Sequence, residues 1–379
     1  MVEDRLSGLK NKRPLCMIGL MSGTSMDGLD ICQVEVDFRG DSVDFDVKGY
    51  RTQPFPSRLR EAIAAALTGK AEEISSLHYR LGRFYAERAS RFILESKSNH
   101  IDAVAMHGQT LYHSSGEHTL QVGEPSFLAE ALGVPVISDF RARDIAVGGT
   151  GAPLIPIVDK WIFQREKEAV ICLNLGGIGN ITYLPSRLSG HPVVGFDTGP
   201  GMCLLDEAVW KLGRKKLDRG GSLALKGQPM EDWVDRWMED EFVRMKPPKS
   251  TGRDRFGTAW LDANLPGNQE NRLEDTLASL SLFTARSVVL NCRQFTDLRP
   301  VKAVIVSGGG VHHGCMMEML NREFAPVDVV LSSDLGVDCD MKEALGFALL
   351  GAAFLKGIPG NLPSVTGASR PVLLGKLTP

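Results

Sequence analysis

No Cys-x-x-Cys pair occurs in this chain, and its seven cysteines, at positions 16, 32, 172, 203, 292, 315 and 339, are scattered and odd in number. Several fall in apolar strand-like runs, where cysteine behaves as a small hydrophobe. That usage argues against a disulfide scaffold or a zinc site and fits a reducing compartment. An excess of one charge is also missing. With 43 Lys and Arg against 46 Asp and Glu, the net charge is −3, so nothing points to nucleic acid or to an anionic membrane surface. No run of about 18 apolar residues is present to cross a membrane, and the opening MVEDRLSGLKNKRP has no apolar signal-peptide core. A cytoplasmic protein is expected. The commonest phosphate-binding signatures are absent as well: there is no G-x-x-x-x-G-K-[ST], and no G-x-G-x-x-G opens a βαβ unit. Hydrophobic content of 43% and charged content of 23% lie near the globular average, which does not indicate disorder. A length of 379 residues allows two domains, each with its own core.

What is present is a pair of strand–turn–strand units rich in glycine. In MIGLMSGTSMDGLDICQVEV (17–36), an apolar run enters a turn made of Ser22, Gly23, Thr24, Ser25, Met26, Asp27 and Gly28, and apolar character resumes at Leu29. A hairpin that only reverses direction needs about two to five residues. This turn carries glycines that admit close backbone approach, and hydroxyls that with successive N–H groups make an anion cradle. Asp27 and Asp30 would repel phosphate, but suit a hydrated Mg²⁺ that takes one or two carboxylates alongside phosphate oxygens. Taken alone, the stretch is equally an ordinary hairpin with a generous loop. A second unit, AVICLNLGGIGNITYL (169–184), repeats the plan around Gly176, Gly177 and Gly179. The spacing is not that of a short-period solenoid. Two lobes, each opening with a phosphate-facing hairpin, are the arrangement of the actin, Hsp70 and sugar-kinase superfamily, which holds nucleotide in a central cleft.

Further candidates lie along the chain. Residues 1–14 read as a loose leader, 43–50 as a third strand, 58–67 as a helix capped by Ser57, and 72–96 as a long amphipathic helix. A buried-type strand at 101–106 ends in His107-Gly108-Gln109-Thr110, and polar groups at such an end commonly meet ligands in α/β proteins; a hydrogen-bonded loop histidine is the plain alternative. After a strand at 134–140 come Arg141, Arg143 and the run AVGGTGAPLIP, read as the lobe boundary, with the arginines suited to an anionic substituent. In VVGFDTGPG a strand ends at Asp197 and a helix begins near Met202, so Asp197 is either a helix cap or a carboxylate that accepts a hydroxyl proton. A basic loop is expected over 246–256 and a long helix over 274–295. The strand at 301–306 ends in Ser307-Gly308-Gly309-Gly310, where a flat adenine and ribose can lie on bare backbone. His312 and His313 read as loop residues. The apolar helix 342–355 carries a single carboxylate, Glu343, near its start.

The set GLMSGTSMDGLD (19–30), HGQT (107–110), DFRARDIAVGGTGAPLIP (139–156), NLGGIGNIT (174–182), GFDTGPG (195–201), SGGG (307–310) and KEALGFALLG (342–351) resembles the anhydro-N-acetylmuramic acid kinase family, in order, from about residue 17 to 355. The resemblance implies a two-lobed α/β actin-like ATPase (ribonuclease H-like) fold. Residues 1–140 and 345–379 would form the N-terminal lobe and 141–344 the C-terminal lobe. It implies ATP and Mg²⁺, and a reaction that opens 1,6-anhydro-N-acetylmuramic acid hydrolytically while phosphorylating O6, in peptidoglycan recycling. Carried onto this chain, Gly23, Thr24, Ser25, Met26, Asp27, Gly28, Leu29 and Asp30 would hold the ATP phosphates, and Gly176, Gly177, Gly308, Gly309 and Gly310 the rest of the nucleotide. Asp197 would be the base. His107, Gln109, Thr110, Arg143, Gly149 and Glu343 would face the sugar. A homodimer is also implied. Two positions depart from the family pattern: Met202 and His313 stand where asparagine is usual. The alternatives are a kinase for another anhydrosugar such as levoglucosan, and a non-sugar ATPase of the actin/Hsp70 type.

Overall fold

The structure, a computed structural model, describes residues 2–23, 26–96, 100–215, 217–265 and 272–379, with side chains described from residue 7 onward. The chain forms two compact units, Met1–Ile162 with Met341–Pro379, and Phe163–Asp340.

The first unit is built on a seven-stranded mixed sheet. Its strands are β1 (Leu15–Ser22), β2 (Gly28–Arg39), β3 (Ser42–Pro54), β4 (Ala103–Ser114), β5 (His118–Val122), β6 (Val136–Ser138) and, from the far end of the chain, β12 (Lys376–Thr378). The order is β12-β6-β4-β1-β2-β3, with β5 paired to β4. β1, β4 and β6 run parallel, and β2 and β3 fold back antiparallel. β1 is buried along its whole length. The reason is that both faces of the sheet are covered, which removes the need for polar alternation. On one face, Ile18, Leu20 and Ile31 pack with Leu59, Leu81, Tyr85 and Phe92 from the helices Ser57–Ala66 and Ala71–Ser96. On the other lies the helix Lys342–Lys356, so close that a Cβ on Gly19 would meet the Ala344 carbonyl oxygen at 2.0 Å.

The second unit repeats the plan with five strands: β7 (Ala169–Leu175), β8 (Ile178–Leu184), β9 (Val194–Pro200), β10 (Val301–Ser307) and β11 (Asp328–Leu331), ordered β11-β10-β7-β8-β9. β8 and β9 are antiparallel, and β10 and β11 are parallel to β7. Its core joins Ile171, Leu173 and Phe196 to Leu280, Phe283 and Val288 of the helix Leu273–Phe295. The second sheet therefore carries the third–second–first–fourth–fifth order of a ribonuclease H-like unit, and the first carries the same order with β6 in the fifth place, β5 set aside as a partner of β4 and β12 added at the edge, as expected of the actin-like fold.

Several local expectations are corrected. The opening residues form a helix, Val2–Asn11, which is tethered by the Lys356 ammonium donating to the Leu9 and Lys10 carbonyls at 3.1 Å. Ser57 does not cap its helix; Pro56 holds that position without a side-chain bond. His107-Gly108-Gln109-Thr110 does not end a strand, because β4 continues through it, paired first to β1 and then to β5. Asp197 likewise sits inside β9, and the next helix, Cys203–Gly213, takes Met202 as its cap. Residues 141–162 belong with the first unit, so the chain passes between units at Ile162–Phe163 and Asp340–Met341.

Candidate active site

In the first unit the β1–β2 register brings Met21 opposite Asp30, and the turn closes beyond them. Thr24 and Ser25 lie outside the described residues. Gly23 offers its carbonyl to the Gln109 amide at 3.1 Å, and Met26 adopts a left-handed φ of 56°. Asp27 is exposed and Leu29 buried. The Asp30 carboxylate accepts from the Thr52 hydroxyl at 2.5 Å and from the Tyr50 hydroxyl at 3.2 Å. Gln109 is buried and braces the turn, while the Thr110 hydroxyl accepts from Gln121 at 3.3 Å.

Beside this turn lies a charged cluster, buried at His107 and half-buried at Arg141 and Glu343. His107 Nδ1 donates to the Gly108 carbonyl at 2.8 Å, and its Nε2 accepts from Arg141 Nε and Nη2 at 3.2 and 3.1 Å. The imidazole lies against Phe347, with ring centroids 4.6 Å apart. Burial, reinforced by the Arg141 charge, pushes its pKa down to about 3, so the ring is neutral. Arg141 Nη1 donates to the Gly151 carbonyl at 2.9 Å. Burial lowers this guanidinium to about 10, still a cation at neutral pH, with Glu343 opposing the shift. The Glu343 carboxyl is raised by burial, Lys342 and Arg141 pulling against that and Asp30 adding to it. Lys342 itself is committed to the buried Asp159 at 2.9 Å.

Of the residues expected to face the sugar, His107, Gln109 and Glu343 thus gather near Asp30, and Arg141 joins them. Arg143 does not: it is exposed and lines a groove with Val147, Arg370 and Val372. Gly149 is set by a different demand. Its N–H donates to the Asp144 carbonyl at 2.9 Å, and a Cβ there would lie 2.1 Å from the Asp144 carboxylate. Asp144 is fully buried and accepts from Gly151 N–H, Asn361 Nδ2 and Thr366 Oγ1 at 2.8, 2.7 and 2.8 Å. The sequence reading missed this hub. Two of its partners lie 217 and 222 residues away, and no local pattern announces them.

In the second unit the two glycine runs meet at the C-terminal edge of parallel strands, where α/β sheets place ligands. Ser307 of β10 pairs with Asn174 of β7, so Gly308–Gly310 and Gly176–Gly177 follow side by side. Gly308 has φ 86°, and a Cβ on it would meet Asn174 Oδ1 at 2.7 Å; beside Gly309 there is open space. Gly176 accepts from Met202 N–H at 2.8 Å, and Gly177 accepts from Gly201 and Cys203 N–H at 2.9 and 3.1 Å. The glycine hairpin is therefore stitched by backbone bonds to the segment after β9. Asp197, half-buried on β9, accepts Thr251 N–H at 2.9 Å, and its own N–H donates to the Lys249 carbonyl at 3.2 Å. Burial raises its pKa to about 6, against the pull of the Thr251 N–H and the Lys249 charge.

The family model of anhydro-N-acetylmuramic acid kinase matches residues 15–379. The chain belongs to that family. Anhydro-N-acetylmuramic acid kinase of Salinibacter ruber is 40% identical over 99% of this chain and 99% of its own length. The Caldanaerobacter subterraneus enzyme of the same name is 35% identical over 99% and 100%, and that of Bacillus cereus 34% over 95% and 96%. Membership of the anhydro-N-acetylmuramic acid kinase family makes the chain a sugar phosphotransferase and does not favour the alternative ATPase or levoglucosan readings. The two departures from the family pattern are locally absorbed. Met202 supplies no side-chain cap to its helix, but its backbone N–H still donates to the Gly176 carbonyl at 2.8 Å. His313 accepts from Met316 N–H through Nδ1 at 3.2 Å, the capping bond that an asparagine side chain would also make. Among the described residues no three metal-binding side chains gather, and no helix is long and apolar enough to cross a membrane.

Proposed function

We propose that this chain consumes ATP to open 1,6-anhydro-N-acetylmuramic acid with water and to phosphorylate O6, giving N-acetylmuramic acid 6-phosphate and ADP. The observation that carries the chemistry is Asp197: a carboxylate held by one backbone N–H, with its pKa brought by burial to about 6, is ionised yet basic enough to take a proton near neutrality. Asp197 removes a proton from water, and the water oxygen bonds to C1 as the C1–O6 bond breaks. The released electron pair on O6 attacks the γ-phosphorus, and the bond to the bridging oxygen breaks to release ADP. One proton transfer thus serves both half-reactions.

The 23–30 turn binds the phosphates through its N–H groups, and Gly176, Gly177 and Gly308–Gly310 leave room for the nucleoside. Glu343 and Arg141 orient the sugar. His107, Gln109 and Gly149 support them, since their hydrogen-bonding groups are largely engaged within the protein. Thr110, on the same strand as His107 and Gln109, adds a hydroxyl to the sugar side, whereas Arg143 faces a separate groove and is left out of the site. Asp30 and Asp27 suit a Mg²⁺ carried in on the phosphates, because such an ion needs only one or two carboxylates. When bound it would neutralise charge on the transferring group. We place the activity in the cytoplasm, in peptidoglycan recycling, and in a homodimer. The test is reaction with ATP and Mg²⁺ in ¹⁸O-water. Label at C1 of a 6-phosphorylated product is the expected result, and turnover of levoglucosan with none of the amino sugar would overturn the reading.

A further inference from the structure

The basic run KPPKSTGRDRF reads as a solvated loop, yet Lys249 within it is buried. Its ammonium donates to the Phe242 and Val243 carbonyls at 2.8 and 3.2 Å. It is ringed by aromatic faces, with Phe242, Phe295 and Phe196 centroids at 4.8, 5.8 and 6.0 Å. No ion pair holds it among the described residues. An ammonium in such a cage has given up water for carbonyl dipoles and ring quadrupoles, and that placement needs a reason. The backbone supplies one. Lys249 contributes its carbonyl to Asp197 N–H, and two residues on, Thr251 N–H fixes the Asp197 carboxylate.

We propose that Lys249 is a positioning residue for Asp197: its caged ammonium anchors the 249–251 segment so that Thr251 N–H aims the carboxylate, and its charge keeps that carboxylate ionised. This rests on the reading of Asp197 as the base. The charge environment is sparse enough for one cation to matter. Among the described residues, Lys249 is the charged side chain that, with the Thr251 N–H, opposes the upward push of burial on Asp197. Lys249 in turn feels Asp240, whose carboxylate is occupied by Arg255 at 3.0 Å, Trp260 Nε1 at 3.2 Å and Phe242 N–H at 2.9 Å. From β8, the residue opposite Asp197 is the neutral Asn180, and the helix Leu273–Phe295 presents neutral Ser287 and Asn291 to the neighbouring Thr198 carbonyl.

The test is the pH dependence of kcat/KM for native enzyme, Lys249→Met, Lys249→Gln, Lys249→Arg and Asp197→Asn. Loss of the charge is expected to move the acid limb of Lys249→Met upward by about one pH unit. Turnover should fall roughly tenfold or more, with KM for ATP within about twofold of native. Lys249→Arg should restore the limb. Lys249→Gln keeps a donor for the carbonyls without the charge, so its limb should move as in Lys249→Met; it carries the test if the methionine variant does not fold. An acid limb unmoved in both neutral variants would overturn the proposal even if turnover fell, since a merely structural lysine lowers rate without shifting titration. The base reading fails separately: Asp197→Asn with near-native turnover sinks it whatever the lysine variants do.

Discussion

Burial gives Asp197 two opposed consequences. A carboxyl whose folded pKa is about 6 lies above its unfolded value, so the folded state holds the proton more tightly. The resulting stabilisation is complete below the unfolded pKa of about 4 and is lost as pH rises through about 6. Asparagine cannot ionise. Asp197→Asn is therefore expected to exceed the native protein in stability above pH 6 by on the order of 1 kcal/mol, a gap that closes toward pH 4. Turnover should fall roughly 10²- to 10⁴-fold. Urea unfolding across pH 4–8 checks the first part, and a gap that ignores pH would show that burial is not the cause. GFDTGPG drew attention to Asp197 in the sequence, but what holds its carboxylate was not legible there, because Thr251 reaches Asp197 across 54 residues. The arginines teach the same lesson at shorter range. Arg141 and Arg143 flank Ala142 at the start of the short helix Ala142–Ile145, and residues two apart leave a helix on different sides, so one is half-buried and the other exposed. Arg141→Lys loses the fork that bridges His107 and the Gly151 carbonyl and is expected to cost about 1–3 kcal/mol. Arg143→Lys should stay within roughly 0.5 kcal/mol of native. Chemical denaturation of the two variants separates them.

Among the elements, the helix Lys342–Lys356 governs the geometry of the first unit, since it seats Glu343 and Phe347 while lying against β1 and β4. Its approach is set by small residues. A Cβ on Gly351 would stand 2.5 Å from Ala105 Cβ, an atom fixed to its strand, and 3.2 Å from Met17 Cε, the flexible end of a side chain. Gly351→Ala is expected to destabilise by about 1–3 kcal/mol through overpacking. It should also lower kcat by tilting Glu343; an unchanged melting temperature would show the seat is softer than this packing implies. Long periodic elements were readable from the sequence, as in the helix Ala71–Ser96 and the hairpins of β1–β2 and β7–β8, because burial of one stripe or of whole strands leaves a clear pattern. The misreadings share a cause. Glycine at position 108 looked like punctuation, but β4 runs on because β1 and then β5 supply partners that only the tertiary fold provides. β12 is three residues long and exists because β6 gives it an edge.

For the molecule as a whole, the chain path decides which part can stand alone. The glycine–proline run at 146–156 read as the lobe boundary, and here Thr150 N–H donates to the Thr366 carbonyl and Ser369 N–H to the Val147 carbonyl, tying it to the tail. The first unit is thus completed only by Met341–Pro379, whereas the second is continuous from Phe163 to Asp340 and holds its own core. A fragment 163–340 is therefore expected to fold alone, with a single cooperative unfolding transition. A fragment 1–162 lacks the helix that covers β1 and β4 and the Asn361 and Thr366 bonds to Asp144, leaving an apolar sheet face and a buried-type carboxylate unsupported. It should aggregate, and co-expression with 341–379 should restore solubility and a cooperative melt. The comparison turns on circular dichroism melts of the three preparations: a cooperative transition in 1–162 alone would mean that the helix Lys342–Lys356 decorates a finished core instead of completing it.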